Sequence, residues 1–295
     1  MGVFERFRAR HKTTCSPEIV DSRDYVVPFA VDTLETVPQG FGDRDLGPFH
    51  RGLFLPRSEP DHFGRSSYPP RLLLLTDSTL VILTHSSSGI PPDEIGLSSI
   101  DSLETGNMLL AGWTEIRFGK TGKRLDYNTR CFPPIEDFLR ALRQGAFPAA
   151  RTTSDTTGHF GDEFEDVKFS RAGDREIDPG EQVALSFFSL PRHRVSRRWL
   201  VHRETWDPGD LIACTDRRLI WITDRYRGLR ELYGRVTRSV RIRHVQGVSI
   251  EGFQQAVAIG IRLLDRRWSI TVDRELEAAA GAFAKALTRA IKSQS

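Results

Sequence analysis

The chain has few cysteines and no long apolar run, and both absences narrow what it can be. The three cysteines among 295 residues are odd in number and widely separated, so no disulfide framework or zinc motif is predicted. The strongest apolar stretch, residues 72–83, is interrupted by polar residues at 76–79, whereas a membrane-spanning helix needs roughly 20 apolar residues. The first residues also lack the apolar segment of a secretory signal. A reducing cytoplasm is therefore the expected setting.

The motifs of common catalytic and cofactor sites are also missing. There is no Gly-x-Ser-x-Gly elbow, no His-Glu-x-x-His motif and no dinucleotide fingerprint. The Gly-Lys pair at 122–123 lacks the neighbours of a phosphate-binding loop, because Arg117 and Arg124 replace its glycine and its Ser or Thr. Three histidines lie among arginines, whose charge lowers proton affinity and disfavours metal binding: His193, His202 and His244. The sequence therefore predicts a non-enzymatic protein with no cofactor and no metal.

Lysine is scarce, and positive charge is carried by arginine. Of the 42 basic residues, 36 are arginine and six are lysine. The net charge is only +3, yet residues 192–243 hold fourteen arginines against six acidic residues. The planar guanidinium of arginine matches phosphate and carboxylate groups well. The local excess therefore favours an anionic partner for this part of the chain.

An internal repeat organises the sequence. Residues 72–84 (LLLLTDSTLVILT) align with residues 211–223 (LIACTDRRLIWIT) at an offset of 139. Each copy contains an apolar run, a Thr-Asp pair, further turn residues and a second apolar run that ends in Thr. Asp suits the turn because its carboxylate can accept hydrogen bonds from nearby backbone amides. The runs are too short for helices, so a β-hairpin is predicted in each copy.

The similarity continues downstream at an offset of 145. Leu97, Ile100 and Leu103 match residues 242, 245 and 248, and alternating stretches that suit half-buried strands follow in both copies. Each copy then ends in a predicted helix with an apolar stripe. The first stripe is Ile135, Phe138, Leu139 and Leu142; the second is Leu276, Ala280, Phe283, Ala284, Leu287 and Ile291. Such stripes need a partner surface, and the open end of the preceding sheet is the predicted one.

The ends of these helices are predicted from standard capping residues. Pro133 and Pro134 are expected to begin the first helix and Gly145 to end it. Asp273 is the predicted N-cap of the second helix.

Together these patterns predict an α+β, mainly β, protein of two modules. Each module is expected to be a bent β-barrel or sandwich capped by a C-terminal helix. Residues 15–146 form the divergent module 1, residues 147–168 a linker rich in small residues and acids, and residues 169–295 module 2. The length agrees with about 150 residues per domain. Residues 38–70, rich in Pro, Gly and Phe, are expected to join the first strands irregularly.

The second copy resembles the bacterial PH-like (GRAM-related) domains. The resemblance lies in residues 215–220 (TDRRLI), in the following segment 242–248 (IRHVQGV) and in the terminal helix. It covers residues 170–293, and residues 20–145 less closely, since Ser78 and Thr79 replace the x-Arg of the motif. The resemblance implies tandem domains, each a strongly bent seven-stranded sheet capped by a helix. It implies no enzymatic activity, because such domains bind lipids, peptides or each other.

One arginine-rich stretch stands out as a candidate binding site. Residues 190–199 (LPRHRVSRRW) are predicted to span the first hairpin of module 2. In lipid-binding PH domains this hairpin presents basic residues to phosphate head groups. The predicted ligand-binding residues are therefore Arg192, Arg194, Arg197 and Arg198. Four later arginines, at 235, 238, 241 and 243, instead fit the solvent face of a strand.

The predicted function is that of a binding or scaffold protein in the cytoplasm. Its partner is an anionic membrane surface, to which it would attach peripherally, or another protein. One alternative is nucleic-acid binding through the same arginines, although Trp199, Trp206 and Trp221 resemble strand core more than base-stacking residues. The other alternative is a structural role in a homo-oligomer whose sheet edges pair.

Overall fold

The computed structural model describes residues 27–41, 46–57, 68–85, 90–108, 111–148, 167–190, 192–198, 201–207, 209–224, 234–253 and 256–294. Over these residues the protein is α+β and mainly β, which confirms the predicted fold class at this level. Contacts divide it into two compact units. The first contains the described residues up to Gly96 together with Tyr127–Leu142, and the second contains Leu97–Asp126 and the described residues from Arg143 onward.

The first unit contains a five-stranded antiparallel sheet. Its strands follow chain order: β1 (Phe29–Val31), β2 (Arg51–Leu55), β3 (Arg71–Leu75), β4 (Thr79–Thr84) and β5 (Asp93–Gly96). The four leucines of β3 are all buried, as expected of a central strand covered on both faces. A tilted ring contact between Phe29 and Phe54, 5.0 Å between centroids, adds to the same core.

The second unit contains the remaining strands, apart from the last two residues of β8, and the end of the first helix. The strands are β6 (Ile100–Met108), β7 (Ala111–Phe118), β8 (Thr121–Asn128), β9 (Val183–Ser189), β10 (Arg192–Arg198), β11 (Val201–Asp207), β12 (Asp210–Thr215), β13 (Arg218–Thr223), β14 (Arg235–Arg241), β15 (Val245–Gly252), β16 (Ala256–Leu263) and β17 (Arg267–Asp273). The helices are α1 (Phe132–Ala146), which begins in the first unit, α2 (Val167–Glu176) and α3 (Glu277–Gln294).

Three sheets form in the second unit. The largest has seven strands in the order β8-β7-β6-β14-β13-β12-β9. Strands β15, β16 and β17 form a second sheet, and β10 and β11 form a separate pair. Strands β6 and β14 lie far apart in sequence but pair directly, with Leu103 opposite Ser239. The compact units therefore divide the chain at other residues than the predicted module boundaries do.

The order of elements repeats along the chain. Strands β2 to β5, a 3-10 turn at Leu97–Ser99, strands β6 to β8 and helix α1 follow one another in the first half. Strands β9 and β12 to β14, a 3-10 turn at Ile242–His244, strands β15 to β17 and helix α3 follow in the second. Both predicted hairpins are confirmed, as β3–β4 and as β12–β13.

The apolar stripe of α3 is buried as predicted. Ala280 and Leu287 are fully buried, and Phe283 contacts Phe187 of β9 with ring centroids 5.7 Å apart. Around them lies an apolar cluster that includes residues from β12 to β17. The predicted N-cap is displaced, however. Asp273 precedes a 3-10 turn and makes no side-chain cap hydrogen bond, and the α-helix itself begins at Glu277.

Two features of the helices differ from the sequence prediction. Gly145 does not end α1 but lies inside its last turn. A Cβ at this position would come within 2.6 Å of Leu97 Cδ1, so close packing accounts for the glycine. Helix α2 begins within the segment predicted as a linker; its Phe169 and Ala172 are buried against β12 and β13 residues.

Among the described residues, no helix combines the length and the apolar character needed to cross a membrane.

Candidate ligand-binding surfaces

The arginine-rich stretch forms one strand of a separate two-stranded ribbon. Strands β10 and β11 pair antiparallel, with Arg192 opposite Asp207 and Arg198 opposite Val201. This pair, called the arginine ribbon below, is inserted between β9 and β12, which pair with each other in the large sheet. A hairpin is therefore present where residues 190–199 predicted one.

The register of the ribbon divides the predicted binding residues between its two faces. Alternate positions along a strand share a face. Positions 192, 194 and 198 therefore lie on one face, and position 197, opposite His202, lies on the other. Arg203 is opposite Ser196 and so joins the first face. The basic face thus consists of positions Arg192, Arg194, Arg198 and Arg203. Sequence reasoning missed Arg203 because the register that places it opposite Ser196 leaves no local pattern in the sequence.

Threonine, and not the predicted aspartate, holds the two repeated turns. Thr215 Oγ1 accepts hydrogen bonds from the backbone N–H groups of Arg217 and Arg218 at 3.1 and 3.0 Å. Thr76 Oγ1 accepts the corresponding bond from Thr79 at 3.0 Å. Asp216 instead accepts a bond from the backbone N–H of Gln182 at 2.9 Å and so links the turn to the segment before β9.

The arginine of the family-like motif lies at the centre of a buried polar cluster. Arg218 is fully buried, and its Nε and Nη2 donate to the two carboxylate oxygens of Glu181 at 2.9 and 2.7 Å. Its Nη1 donates to Ser239 Oγ at 3.1 Å, and Nη2 also contacts Asp178 Oδ2 at 3.3 Å. Arg143 of α1 contacts Asp178 at 3.8 Å. Because Arg218 has no exposed surface, its role is structural.

Burial and charge shift the two carboxyl groups of this cluster in opposite directions. Burial raises the pKa of Asp178, and the nearby Arg218 and Arg143 charges offset only part of that effect. Burial also raises the pKa of Glu181, but the hydrogen bonds and charge of Arg218 outweigh it and bring this pKa below its usual value. The difference follows from geometry, since Glu181 receives both ends of the guanidinium fork and Asp178 only one longer contact.

The sequence predicts that the arginines at 235, 238, 241 and 243 lie on the solvent face of a strand. This prediction is wrong for Arg241 and Arg238. Arg241 donates to the backbone carbonyls of Ile100 and Leu97 at 2.9 and 3.0 Å. Arg238 lies over the ring of Trp221, 4.4 Å from its centroid, and donates to Glu104 at 3.0 Å. Arg243 is exposed. Both exceptions occur because β14 is an inner strand of the seven-stranded sheet.

A cavity of about 450 Å³ lies against one face of this sheet. Directly opposite residues form a row along the face: Trp221 of β13, Arg238 of β14, Glu104 of β6 and Glu115 of β7. The remaining lining residues are Trp113, Arg124, Thr223, Val236, Arg266, Arg267, Trp268 and Ser269. The tryptophan–arginine pocket, as this cavity is called below, thus combines three indoles with four guanidinium groups.

Gly106 allows the indole of Trp113 to lie against the backbone of the neighbouring strand. Gly106 of β6 is directly opposite Trp113 of β7. A Cβ at position 106 would lie only 2.2 Å from Trp113 Nε1, so the indole covers the bare backbone of the neighbouring strand. Arg124 lies over the same indole, 4.5 Å from the ring centroid. Sequence reasoning missed the pocket because its residues come from distant segments.

The pKa of His244 is lowered, chiefly by burial. Asp101, 3.3 Å from its Nδ1, opposes this shift, and the charges of Arg243 and Arg241 add to it, so the predicted influence of the arginines is a secondary one. The side chains of His193 and His202 lie outside the described residues. Within the described ranges, no group of three or more His, Cys, Asp or Glu side chains is arranged to hold a metal ion.

Comparison with known proteins adds no family assignment. No protein-family model matches the chain, and no curated protein is significantly similar to it in sequence.

Proposed function

We propose that the chain consists of two PH-like modules and is a non-enzymatic binding or scaffold protein that attaches peripherally to anionic membranes in the cytoplasm. The repeated order of elements supports the fold assignment. Apart from β1 in the first half and the arginine ribbon in the second, each half contains seven strands in the PH-like order, with a 3-10 turn before the fifth and a helix after the last. The arginine ribbon is an insertion between the first and second strands of the second set.

The position of the arginine ribbon carries the functional proposal. It occupies the connection that presents basic residues to phosphate head groups in lipid-binding PH domains. Its register brings Arg192, Arg194, Arg198 and Arg203 to one face, against a single acidic position, Asp207, on that face. A two-stranded ribbon with one basic face can lie against an anionic membrane surface.

The expected affinity is modest. Each basic residue near an anionic membrane contributes about 1 kcal/mol, so four arginines together provide about 4 kcal/mol. That free energy corresponds to roughly millimolar affinity. Attachment by one ribbon is therefore reversible, and useful binding requires a second contact or several copies of the chain.

Vesicle co-sedimentation tests this proposal. The full chain is sedimented with phosphatidylcholine vesicles and with vesicles that also contain phosphatidylserine, each at low and high salt. Binding is expected only to the anionic vesicles and is expected to weaken with salt. The variant Arg192→Ala, Arg194→Ala, Arg198→Ala, Arg203→Ala is expected to lose this binding.

A charge-matched control separates the ribbon from net charge. Four exposed basic residues outside the ribbon are replaced by Ala: Arg243, Arg262, Lys285 and Arg289. This variant is expected to keep most of the binding. Equal losses in both variants would mean that only net charge matters. A DNA mobility shift in parallel tests the alternative, and binding to DNA without binding to vesicles would refute the membrane proposal.

A further inference from the structure

The tryptophan–arginine pocket has no role in the proposed membrane attachment. None of its lining residues belongs to the arginine ribbon. Its volume lies within the range of about 300–1,000 Å³ that is usual for small-molecule sites. The pocket therefore calls for its own explanation.

Two arginines in the pocket share a single carboxylate. Arg238 Nη2 donates to Glu104 Oε1 at 3.0 Å, and Arg266 Nη1 lies 3.7 Å from Glu104 Oε2. All three side chains are about four-fifths buried. Glu115, the other acidic lining residue, pairs with Arg117 at 2.6 Å. The centre of the pocket thus carries one more positive than negative charge.

The unused hydrogen-bonding capacity around the pocket consists of donors. Arg266 Nε and Trp268 Nε1 are buried, and neither has an acceptor among the described residues. A buried donor without an acceptor costs about 1–3 kcal/mol. Both donors lie beneath the pocket surface, so an acceptor on a ligand would reach them only after neighbouring side chains shift. Carboxylate and phosphate groups are acceptors with several lone pairs, and they match guanidinium geometry.

The walls of the pocket are aromatic. Trp113, Trp221 and Trp268 are all at least nine-tenths buried, and the rings of Trp221 and Trp268 lie 5.6 Å apart and tilted. Indole rings provide large apolar contact surfaces for flat groups. Arg238 and Arg124 already lie over the rings of Trp221 and Trp113. A flat aromatic group of a ligand would therefore stack on these guanidinium planes and touch only the exposed edges of the indoles.

We propose that the tryptophan–arginine pocket binds a small organic anion with a flat aromatic body and a carboxylate or phosphate group. The anionic group accepts hydrogen bonds from Arg238 and Arg266. The aromatic body packs against the guanidinium planes that cover Trp113 and Trp221 and against the exposed edges of the indoles. Glu104 competes with the ligand for the same guanidinium groups and so limits its affinity.

Calorimetric titration of the full chain with phenyl phosphate tests this site, with inorganic phosphate and benzyl alcohol as partial probes. Phenyl phosphate is expected to bind at least about tenfold more tightly than either partial probe, because only it uses both parts of the site. No binding of phenyl phosphate, or equal binding of inorganic phosphate, would overturn the proposal. Benzoate in place of phenyl phosphate distinguishes a carboxylate from a phosphate ligand.

Two variants with opposite expected effects exclude a general loss of folding. Arg238→Met is expected to weaken phenyl phosphate binding about tenfold or more. Glu104→Gln is expected to strengthen it by about threefold or more, because the competing carboxylate is neutralised. Arg243→Met, which removes an exposed arginine, is the control and should leave the affinity unchanged. Weaker binding in Glu104→Gln, or equal affinities in all variants, would refute the assignment.

Discussion

Arg218 connects three segments of the second unit through one guanidinium group. Glu181 precedes β9, Asp178 follows α2, and Ser239 belongs to β14, and all three contact Arg218. The adjoining Thr215 hydroxyl donates to Glu181 at 2.7 Å and so completes the cluster. A buried ion pair adds little net stability, but the removal of one partner leaves an uncompensated charge inside the protein.

The pH dependence of stability should reveal the Glu181–Arg218 pair. The pKa of Glu181 is lower in the folded chain than its ordinary 4.5. Its stabilising contribution is therefore complete above that pH and is lost as the pH falls through the folded-state pKa. Glu181→Gln is expected to lower the free energy of unfolding by about 3 kcal/mol at pH 7, and the difference from the wild type should shrink below pH 4.5.

Urea denaturation at several pH values measures this difference. Glu275→Gln, at an exposed position in the 3-10 turn before α3, is the control, and its expected effect is within about 0.5 kcal/mol at every pH. A difference between wild type and Glu181→Gln that stays constant from pH 7 to pH 3 would contradict the pairing. Asp178, whose folded-state pKa is raised in part by the charge of Glu181, contributes with the opposite sign and is itself altered in Glu181→Gln.

For single residues, the sequence indicates the Thr-Asp-x-Arg motif but not the side chains that its arginine contacts. The Thr-Asp-x-Arg pattern at 215–218 is visible because it recurs in part at 76–79. Glu181 lies 37 residues earlier, and no local periodicity connects it to Arg218. The same applies to Arg238 and Glu104, which are 134 residues apart. Local patterns predict strands and turns, whereas such side-chain pairs depend on which strands become neighbours.

Two helical glycines illustrate how surroundings decide the effect of one substitution. A Cβ at Gly281 of α3 would meet nothing within 4 Å, whereas a Cβ at Gly145 of α1 would lie 2.6 Å from buried Leu97. Gly281→Ala should raise the free energy of unfolding by about 0.5–1 kcal/mol, since alanine favours the helix. Gly145→Ala should lower it by about 1 kcal/mol, because the methyl group overfills the site.

Thermal and urea unfolding of the two variants provide the measurement, and each variant is the control for the other. The same substitution in two α-helices isolates the contact with Leu97. If Gly145→Ala stabilised the chain as much as Gly281→Ala, helix propensity alone would explain both residues.

The elements that were predicted correctly share a strong local signal. The hairpins β3–β4 and β12–β13 have short apolar runs separated by polar turn residues, and α3 has a long apolar stripe. Helix α2 has only ten residues and follows a stretch typical of a linker, so its Phe169 and Ala172 were not recognised as a stripe. The N-cap of α3 was misplaced because one 3-10 turn precedes the helix.

For the whole molecule, the decisive interaction is the pairing of β6 with β14. The repeat in the sequence suggests that each copy folds on its own, and strands β6 to β8 belong to the first copy by sequence. In the structure these strands extend the sheet of β9 and β12 to β14. A repeat detects common ancestry of segments but not which sheet edge each strand occupies, because strand pairing across long separations leaves no local pattern.

A fragment that begins at residue 167 should therefore be less stable as a monomer than its length implies. It would retain β9 to β17 but expose the edge of β14, where backbone groups from Ser102 to Asn107 now pair with Val240 to Arg235. Exposed edges of this kind favour aggregation and pairing between copies. We expect fragment 167–295 alone to self-associate in size-exclusion chromatography, and co-expression with fragment 1–148 to restore a soluble one-to-one complex. A monomeric fragment 167–295 with cooperative unfolding would instead show that the second repeat is complete without β6 to β8.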